Sequence, residues 1–205
     1  MNRALTLSVS LNVLLLSVFL VEWIAPNVKT TFMPDMETPV TGQHTRIHPL
    51  AAVIGSLTIG DHVYVAPAAS VRGDEGRHIH IGHESNVQDG VVVHGLETFE
   101  GDQGLPENEV EFDGKKYSVY VRKRVSLAHQ SQIHGPAKVD DDTFAGMQAL
   151  VFRLELGDHV VAEPGAKLIG VKVAPGRYVP ALPIITKQAQ GNTLPLIRSD
   201  YPTGN

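Results

Sequence analysis

The sequence predicts an all-β fold: a left-handed parallel β-helix built from hexapeptide repeats, with an N-terminal hydrophobic helix and a short or missing C-terminal helix. An aliphatic or small residue recurs every six positions from Val53 onward, and glycine follows it in IGD (59–61), IGH (81–83) and LGD (156–158). The 205 residues include 19 glycines and 13 prolines but only 6% aromatic residues, which favours strands joined by many turns over a helical bundle. Hexapeptide spacing is typical of a parallel β-helix.

The repeat predicts the core. Three hexapeptides make one triangular coil, so one inward residue per strand stacks over its counterpart about 18 residues later. A run of alternating valines in an antiparallel sandwich is the alternative, and the number of aligned positions disfavours it. The 17 aligned positions are Val53, Ile59, Val65, Val71, Ile81, Val87, Val93, Val121, Leu127, Ile133, Val139, Ala145, Val151, Leu156, Ala162, Leu168 and Ala174.

The repeat is interrupted at three places. The register slips by four residues after Val71, at RGDEGRH, and gains 22 residues after Val93, at the acidic segment 97–118. It loses one residue between Val151 and Leu156. These are the points where we expect the chain to leave the regular coil.

The composition limits the classes of function. Lys plus Arg is 17 and Asp plus Glu is 22, a net charge of −5 with neutral histidine, and there is no long basic run. Nucleic acid is therefore not an expected partner. The absence of cysteine excludes disulfides, cysteine–zinc sites and thiol catalysis. Any metal site must then be built from carboxylates and from the ten histidines.

The amino-terminal segment, residues 4–25, is almost wholly apolar, and Glu22 is the single charge inside it. It fits the apolar region of a signal peptide, and it is also long enough to span a bilayer at about 1.5 Å per residue. Residues 1–25 are therefore predicted to be a cleaved signal peptide or a membrane anchor, with a buried helix as the third interpretation. Because Arg3 precedes the run, the first two interpretations place the domain outside the cytoplasm, in a secreted, periplasmic or membrane-anchored protein.

The rest of the chain is predicted to form one domain. Residues 26–48, which contain three prolines without a clear period, are interpreted as a linker and the loop that leads into the domain. The β-helix is expected over residues 49–186, and residues 187–205 form a C-terminal extension.

Counting along the repeat brings two histidines together. Val93 and Ile133 fall on the same face of adjacent coils, and the outward residues that follow them are His94 and His134. Adjacent strands lie about 4.8 Å apart, which lets two stacked imidazoles share one metal ion. The same outward row contains Ile54, Arg72 and Phe152.

A third histidine lies on another face. His129 follows Leu127 by two residues, so it cannot easily reach the same metal from the same chain. A neighbouring chain packed against this edge could supply it, together with Gln88 and Met147. Such a head-to-tail interface closes as a ring, most naturally a trimer for a triangular prism. Three histidines with an open fourth position form the catalytic zinc arrangement, in which bound water has a pKa of about 7. The other histidines are expected to be solvated or core residues: His44, His48, His62, His78, His80, His83 and His159.

Two carboxylates are candidates for proton handling beside this metal. Glu97 lies three residues past His94, at the start of the acidic segment, and Glu75 lies in RGDEG. One carboxylate could take protons from metal-bound water while the other orients that water. The competing interpretation makes Glu97 one of many solvated acids in a loop.

Four further polar residues lie close to these positions in the sequence. Arg72 and Asp74 are two residues apart in a turn, and an interface salt bridge is favoured for them over catalysis. Asn86 and Gln88, in SNVQDG, follow the strand that leads to His94 and could hydrogen-bond the metal-bound water or a substrate. Turn formation is the alternative for Asn86, and a satisfied polar side chain is the alternative for Gln88.

Five stretches together resemble a known family. They are RGDEG (72–76), SNVQDGVVVHGLET (85–98), VSLAHQSQIHGPA (125–137), DDTFAGMQALVF (141–152) and GRYVPA (176–181). On these residues the chain is similar to the γ-class carbonic anhydrases, from about Arg46 to Tyr201, roughly three quarters of its length. The resemblance implies a left-handed β-helix homotrimer with metal sites between subunits, two ligands coming from one subunit and one from the next.

The resemblance also implies roles for individual residues. His94, His129 and His134 would bind zinc, and iron or cobalt can serve in the family. Glu97 would be the proton shuttle, and Glu75 would hydrogen-bond the metal-bound species. The remaining implied roles are contact with bound water and bicarbonate for Gln88 and Asn86, an interface pair for Arg72 and Asp74, and apolar contact with the gas for Met147 and Phe152.

The implied activity is the reversible hydration of carbon dioxide to bicarbonate by metal-bound hydroxide at the subunit interfaces. The acidic segment and its Glu97, which many family members lack, favour an active enzyme. The family's long C-terminal helix, which brings a tyrosine and an asparagine near the site, has no counterpart in SDYPTGN at the end of this chain. This departure favours the first alternative, a noncatalytic trimeric scaffold or assembly protein. The second alternative is an acyltransferase, because hexapeptide β-helices often carry acyl-transfer chemistry and fold alone does not give function.

Overall fold

The computed structural model describes residues 24–201, and in it the chain winds as a parallel β-helix of about eight turns. The predicted fold class is confirmed by this architecture. Its strands alternate buried and partly exposed residues, as in Ala52–Gly55 and Ser70–Gly73, because successive side chains of a strand point to opposite faces.

Most strands are short, since the chain turns a corner of the triangular coil after each one. Within residues 24–201 the helical elements are a 3-10 helix (Pro106–Asn108) and one α-helix, α1 (Gln188–Asn192). The strands are β1 (Ile24–Ala25), β2 (Val40–Thr41), β3 (Arg46–Ile47), β4 (Ala52–Gly55), β5 (Leu57–Ile59), β6 (Tyr64–Val65), β7 (Ser70–Gly73), β8 (Ile79–Ile81), β9 (Asn86–Val87), β10 (Val92–His94), β11 (Phe99–Glu100), β12 (Gln103–Gly104), β13 (Val110–Phe112), β14 (Lys115–Tyr117), β15 (Val119–Val121), β16 (Ser126–Leu127), β17 (Gln132–Val139), β18 (Phe144–Ala145), β19 (Leu150–Leu156), β20 (Val161–Ala162), β21 (Lys167–Ile169), β22 (Lys172–Val173), β23 (Tyr178–Val179) and β24 (Ile184–Ile185).

The strands stack into three faces. The first face has the order β1-β4-β7-β10-β17-β19-β21-β24, and the second has the order β2-β5-β8-β15-β17-β19-β22. The longer strands β17 and β19 bend around the corner between them, which joins both faces into one 13-stranded sheet. The third face is a separate seven-stranded sheet, β3-β6-β9-β16-β18-β20-β23.

The predicted core is confirmed at 16 of the 17 aligned positions, all of which are buried. Ala174 is the exception: it is exposed, and Val173 takes the inward position instead. Val173 pairs with Leu156, and Leu168 pairs with Val151. The last coils are therefore one residue shorter than the repeat, so a count in steps of six arrives one position too late.

The acidic segment 97–118 leaves the coil between the first and second faces. It forms the antiparallel hairpin β11–β12, then the 3-10 helix, then the antiparallel hairpin β13–β14. The ring of Phe112 in the second hairpin stacks on Tyr120 of the second face, with centroids 4.2 Å apart. The insertion thus spans a corner of the β-helix and is packed against it.

The single-residue loss after Val151 falls at Arg153. In the preceding coil Gly135 and Pro136 separate His134 from Ala137, whereas here Arg153 alone separates the paired residues Phe152 and Leu154. Arg153 makes this shorter corner with a positive φ of 53°, a conformation that is uncommon outside glycine.

Both ends of the described chain are joined to the β-helix. Ile24 and Ala25 pair with Val53 and Ile54 of β4, and the buried Asn27 donates a hydrogen bond to the Asp35 carbonyl. At the other end, Tyr201 donates a hydrogen bond to the Glu163 carboxylate at 2.6 Å.

The predicted signal peptide or anchor lies outside the described residues, apart from Ile24 and Ala25. Within residues 24–201, no helix combines the length and apolar character needed to cross a bilayer.

Candidate metal centre

His94 and His134 lie side by side on the first face. They are paired residues of β10 and β17, and their ring centroids are 5.3 Å apart with the rings nearly perpendicular. The preceding residues, Val93 and Ile133, are fully buried, so the alternation along each strand directs both imidazoles outward. The register of the repeat thus builds this histidine pair, as the count along the sequence predicts.

His94 is surrounded by charged side chains from the RGDEG turn. Its Nε2 lies 3.0 Å from an Asp74 oxygen, 3.0 Å from an Arg72 nitrogen and 3.5 Å from a Glu75 oxygen. A neutral His94 donates to Asp74 when Nε2 carries the hydrogen, and it accepts from Arg72 when Nε2 carries the lone pair. The second tautomer is the one whose Nε2 can bind a metal ion.

The two carboxyls beside His94 have shifted pKa values in opposite directions. Burial by itself raises the pKa of Asp74, but the hydrogen bond from His94 and the charge of Arg72 outweigh it, and the net pKa is lowered. Burial raises the pKa of Glu75; His94 opposes this, while the negative charges of Asp74 and Glu97 add to it. Asp74 therefore holds its negative charge more firmly than Glu75 does.

His134 is held in a form suited to ligation. Burial lowers its pKa; a long hydrogen bond to the Gly135 carbonyl opposes the shift, and the nearby His94 adds to it. Because a carbonyl only accepts, Nδ1 carries the hydrogen in this bond of 3.4 Å, which leaves the Nε2 lone pair available. Phe152 of the next coil packs edge-on against His134, with ring centroids 5.3 Å apart.

His129 lies at the edge of the third face, just after β16. Its side chain is 52% exposed, and its Nδ1 lies 3.1 Å from an Asp89 carboxylate oxygen. A carboxylate at one ring nitrogen fixes the tautomer and leaves the other nitrogen free to bind a metal.

The third face also carries the predicted polar contacts. Gln88 donates a hydrogen bond to the Asn86 side-chain oxygen at 3.2 Å, and Asn86 donates to the Ser126 hydroxyl at 2.8 Å. Met147, two residues past the inward Ala145, is 47% exposed.

The predicted site residues thus form two groups on two faces. Within residues 24–201, the group of at least three His, Cys, Asp or Glu side chains with ligand atoms mutually within 4.8 Å is Asp74, Glu75 and His94. A single chain does not bring His129 to the other two predicted ligands, and it separates Met147 from Phe152. The first group comprises His94, His134, Glu75, Glu97, Arg72, Asp74 and Phe152, and the second comprises His129, Gln88, Asn86 and Met147.

An open cavity of about 410 Å³ lies beside the histidine pair. Glu75, Glu97, His94 and His134 are among its lining residues. Glu97 is exposed at the point where the acidic segment leaves the first face. Its position places one carboxylate between the cavity and solvent.

Sequence reasoning missed five residues that line the same cavity. Two, Gly95 and Leu96, directly follow His94, and the others are Leu105, Asn108 and Arg153. Leu105 and Asn108 belong to the acidic segment, where no repeat predicts which side chains turn inward. The sequence did mark the position of Arg153, because this residue lies at the one-residue loss of register after Val151.

Two of the histidines that were not expected to bind metal, His78 and His80, contact side chains of the β-helix itself. His78 contacts the Ser56 hydroxyl at Nδ1 and the Thr58 hydroxyl at Nε2, both at 2.9 Å. His80 stacks on Tyr120, and burial lowers its pKa to about 4.

Comparison with known proteins identifies the family. No protein-family model matches the chain. The carbonic anhydrase of Methanosarcina thermophila is 50% identical to it over 179 residues, which cover 87% of this chain and 72% of that protein. The chain belongs to the γ-class carbonic anhydrase family. Membership implies a metal cofactor, for which the histidines and carboxylates above are suitable ligands.

This γ-class family member is also similar to proteins that are not named carbonic anhydrases. The carboxysome assembly protein CcmM of Nostoc sp. is 44% identical over 149 residues, which cover 73% of this chain but only 25% of that protein. Among solved structures, a hexapeptide transferase family protein from Anaplasma phagocytophilum superimposes with a TM-score of 0.55 at 23% identity, covering 76% of this chain and 87% of that one. This last likeness concerns the fold alone.

Proposed function

We propose that this γ-class family member is a carbonic anhydrase that hydrates carbon dioxide reversibly to bicarbonate at metal sites shared between the subunits of a homotrimer. The observation that carries the proposal is the register pairing of His94 with His134, whose ring centroids are 5.3 Å apart beside an open cavity. The exposed His129 on another face would complete the ligand set from the neighbouring chain.

The donor set fits a divalent metal ion. His134 and His129 each engage Nδ1 and leave Nε2 for ligation. His94 presents an Nε2 lone pair in the tautomer that accepts a hydrogen bond from Arg72. We propose Zn²⁺ as the metal, with Fe²⁺ or Co²⁺ able to occupy the same imidazole ligands. When bound, such an ion supplies Lewis acidity that lowers the pKa of a coordinated water to about 7.

Two glutamates of the first face would handle the protons. Glu75 lies within 3.5 Å of His94 Nε2, and burial keeps the pKa of its carboxyl above the ordinary value. Its carboxyl therefore takes up a proton more readily than that of an ordinary glutamate. Glu97 is exposed at the edge of the same cavity, where it would take the proton released by hydration and pass it to solvent.

Binding and orientation would come from both faces. Gln88 and Asn86 form a hydrogen-bonded pair at the edge that carries His129, and they would contact bound water and bicarbonate. Phe152 packs against His134, and Met147 is exposed on the opposing edge, so the two would form apolar walls suited to a small nonpolar gas.

The interface would also use the pair next to His94. Arg72 and Asp74 form an ion pair of 3.2 Å within one chain. We propose that this pair borders the contact with the neighbouring subunit and holds His94 in place.

We propose that the enzyme is located outside the cytoplasm. If residues 4–25 are not cleaved off, they would attach it to the membrane. The apolar run with Arg3 before it supports this proposal. Carbon dioxide, bicarbonate and further copies of this chain are the partners, and nucleic acid is not expected.

A noncatalytic trimeric scaffold is the second candidate function. The 44% identity to a carboxysome assembly protein over 73% of this chain favours it. The presence of both Glu75 and Glu97 beside the histidine pair favours the enzyme.

Stopped-flow measurement of carbon dioxide hydration tests the proposal. We expect turnover from the full chain loaded with zinc or, without oxygen, with iron, and none from the same protein stripped of metal. A folded, metal-loaded trimer that shows no turnover would contradict the enzyme and favour the scaffold.

A further inference from the structure

The backbone of Glu97 is held on its C-terminal side by Thr98, which is fully buried. The Thr98 amide and hydroxyl both donate to the Glu75 carbonyl at 3.0 Å, and the hydroxyl accepts from the Arg77 amide at 2.7 Å. The residue after the predicted shuttle is therefore tied to the segment that carries Glu75.

The carbonyl of Glu97 itself is held by Asn108. The Asn108 side chain is 9% exposed, its Nδ2 donates to the Glu97 carbonyl at 2.7 Å, and its Oδ1 accepts from Arg153 at 2.9 Å. Both ends of this side-chain amide are thus used, one toward Glu97 and one toward the β-helix. Nearly buried and hydrogen-bonded at both ends, Asn108 forms a bridge between Glu97 and Arg153.

Arg153 stands at a corner between the first and second faces where the chain is one residue shorter than in the preceding coil. Its positive φ of 53° forms the shortened corner between Phe152 and Leu154, next to the insertion. It lines the same cavity as Glu97, His94 and His134. The irregularity of the repeat therefore places a guanidinium where it can reach Asn108.

The insertion has a second, independent attachment. Glu109, whose side chain is 3% exposed, lies 2.7 Å from both Arg77 and Lys116. Loss of the Asn108 bridge would leave this ion-pair cluster in place, so variants of Asn108 should keep the insertion attached to the β-helix.

We infer that Asn108 and Arg153 are positioning residues for Glu97: Arg153 orients the Asn108 side chain, and Asn108 fixes the Glu97 carbonyl so that the carboxylate reaches both the cavity and solvent. This inference rests on the proposed function, in which Glu97 moves the proton. Neither residue contacts the reacting atoms. Their effect is on the distance between Glu97 and the proton that it accepts, and proton transfer is sensitive to such distances.

The decisive variant is Asn108→Asp. It keeps the size of the side chain and the acceptor for Arg153, but it removes the Nδ2 donor to the Glu97 carbonyl. We expect kcat in weak buffer to fall about tenfold, while strong imidazole buffer, which carries protons itself, restores it to within about twofold of the wild type. The value of kcat/KM should stay unchanged, because the hydration step precedes the proton transfer.

Matched variants separate positioning from a general structural role. Arg153→Ala should show the same buffer dependence as Asn108→Asp, and Arg153→Lys should recover part of the loss. Glu107→Ala changes an exposed neighbour on the same 3-10 helix and should leave both kinetic parameters unchanged. Equal losses in weak and strong buffer, or no loss, would overturn the inference.

Hydrogen exchange gives a readout that does not depend on activity. The Leu105 amide donates to the Thr98 carbonyl at 2.8 Å within this loop. We expect Asn108→Asp and Asn108→Ala to speed exchange at this amide while β17 keeps its protection, and unchanged exchange would contradict the bridge. If the metal-loaded wild type shows no hydration, the proposed function fails and the proton-transfer role fails with it, whereas the exchange result still decides whether Asn108 holds the loop.

Discussion

The two halves of the candidate centre differ in how much of each a single chain completes. On the first face, His94 is 17% exposed and lies among Arg72, Asp74 and Glu75, with His134 packed against it. On the third face, His129 is 52% exposed and contacts Asp89, which is itself 55% exposed. The side chains of the first half are therefore held in place by contacts within one chain, whereas those of the second half lie exposed at an edge of the third face.

This difference teaches how a repeat protein can divide a site. The register of the β-helix stacks two ligands in adjacent coils, but it cannot bring a residue from another face of the prism to the same point. A neighbouring copy that docks its third face on the first face of this chain would bury His129 and Met147 at the contact. The exposure of His129 and Met147 in a single chain would then be explained by their burial at this contact.

The largest effect is expected from removing a single histidine of either half. We predict that His134→Ala and His129→Ala each lower the metal affinity and the rate of carbon dioxide hydration by more than about a hundredfold, because each leaves an incomplete ligand set. Metal content after dialysis and stopped-flow rates measure both effects.

His159→Ala is the matched control for these variants. His159 is also exposed and also lies beside an aspartate, with its Nε2 3.6 Å from Asp142. Its removal should leave metal content and activity unchanged. If His129→Ala behaved like His159→Ala, the third-face half would not belong to the site.

Mixing the two inactive variants tests whether the site is shared. In random trimers of His129→Ala and His134→Ala chains, about a quarter of the interfaces would combine an intact His94–His134 pair with an intact His129. We expect about that fraction of the wild-type activity after the subunits are exchanged. Mass spectrometry would verify the exchange, and verified mixed trimers without activity would argue against a site between chains.

A smaller, conditional effect is expected at Glu97. Glu97→Ala should lower kcat about a hundredfold in weak buffer and much less in strong imidazole, since the buffer replaces the missing proton carrier. Glu107→Ala serves as the control within the same acidic segment. Losses that do not depend on the buffer would show that Glu97 has another role.

The regular part of the fold could be predicted from the sequence because one inward residue per hexapeptide decides it. Val93 and Ile133 are buried as counted, and this alone places His94 beside His134. The count went wrong at Ala174, where the coils shorten by one residue and Val173 turns inward. A fixed period cannot detect a deletion that leaves another small apolar residue in the expected place.

The irregular part of the site could not be predicted in the same way. The Asn108–Arg153 bridge joins residues 45 positions apart, one in an insertion without a repeat and one at a break in it. Of the charged neighbours of His94, Arg72 pairs with it in register, as the count predicted. Asp74 and Glu75 come from the following turn, where the register slips and spacing no longer determines direction. Contacts of this kind depend on how a loop folds back, and composition and period carry no information about that.

The smallest effect is expected at Asp89, the residue behind His129. Asp89→Asn keeps an acceptor for His129 Nδ1 but removes the negative charge that favours the ligating tautomer. Supporting carboxylates of this kind contribute about tenfold or more to metal affinity, and we expect the lower end because the pair is half exposed. Competition with a chelator measures the affinity, and Asp102→Asn, at an exposed turn of the insertion, is the control. If Asp89→Asn left the affinity unchanged while His129→Ala abolished it, the aspartate would have no part in orienting the ligand; if both left it unchanged, the first face alone would hold the metal.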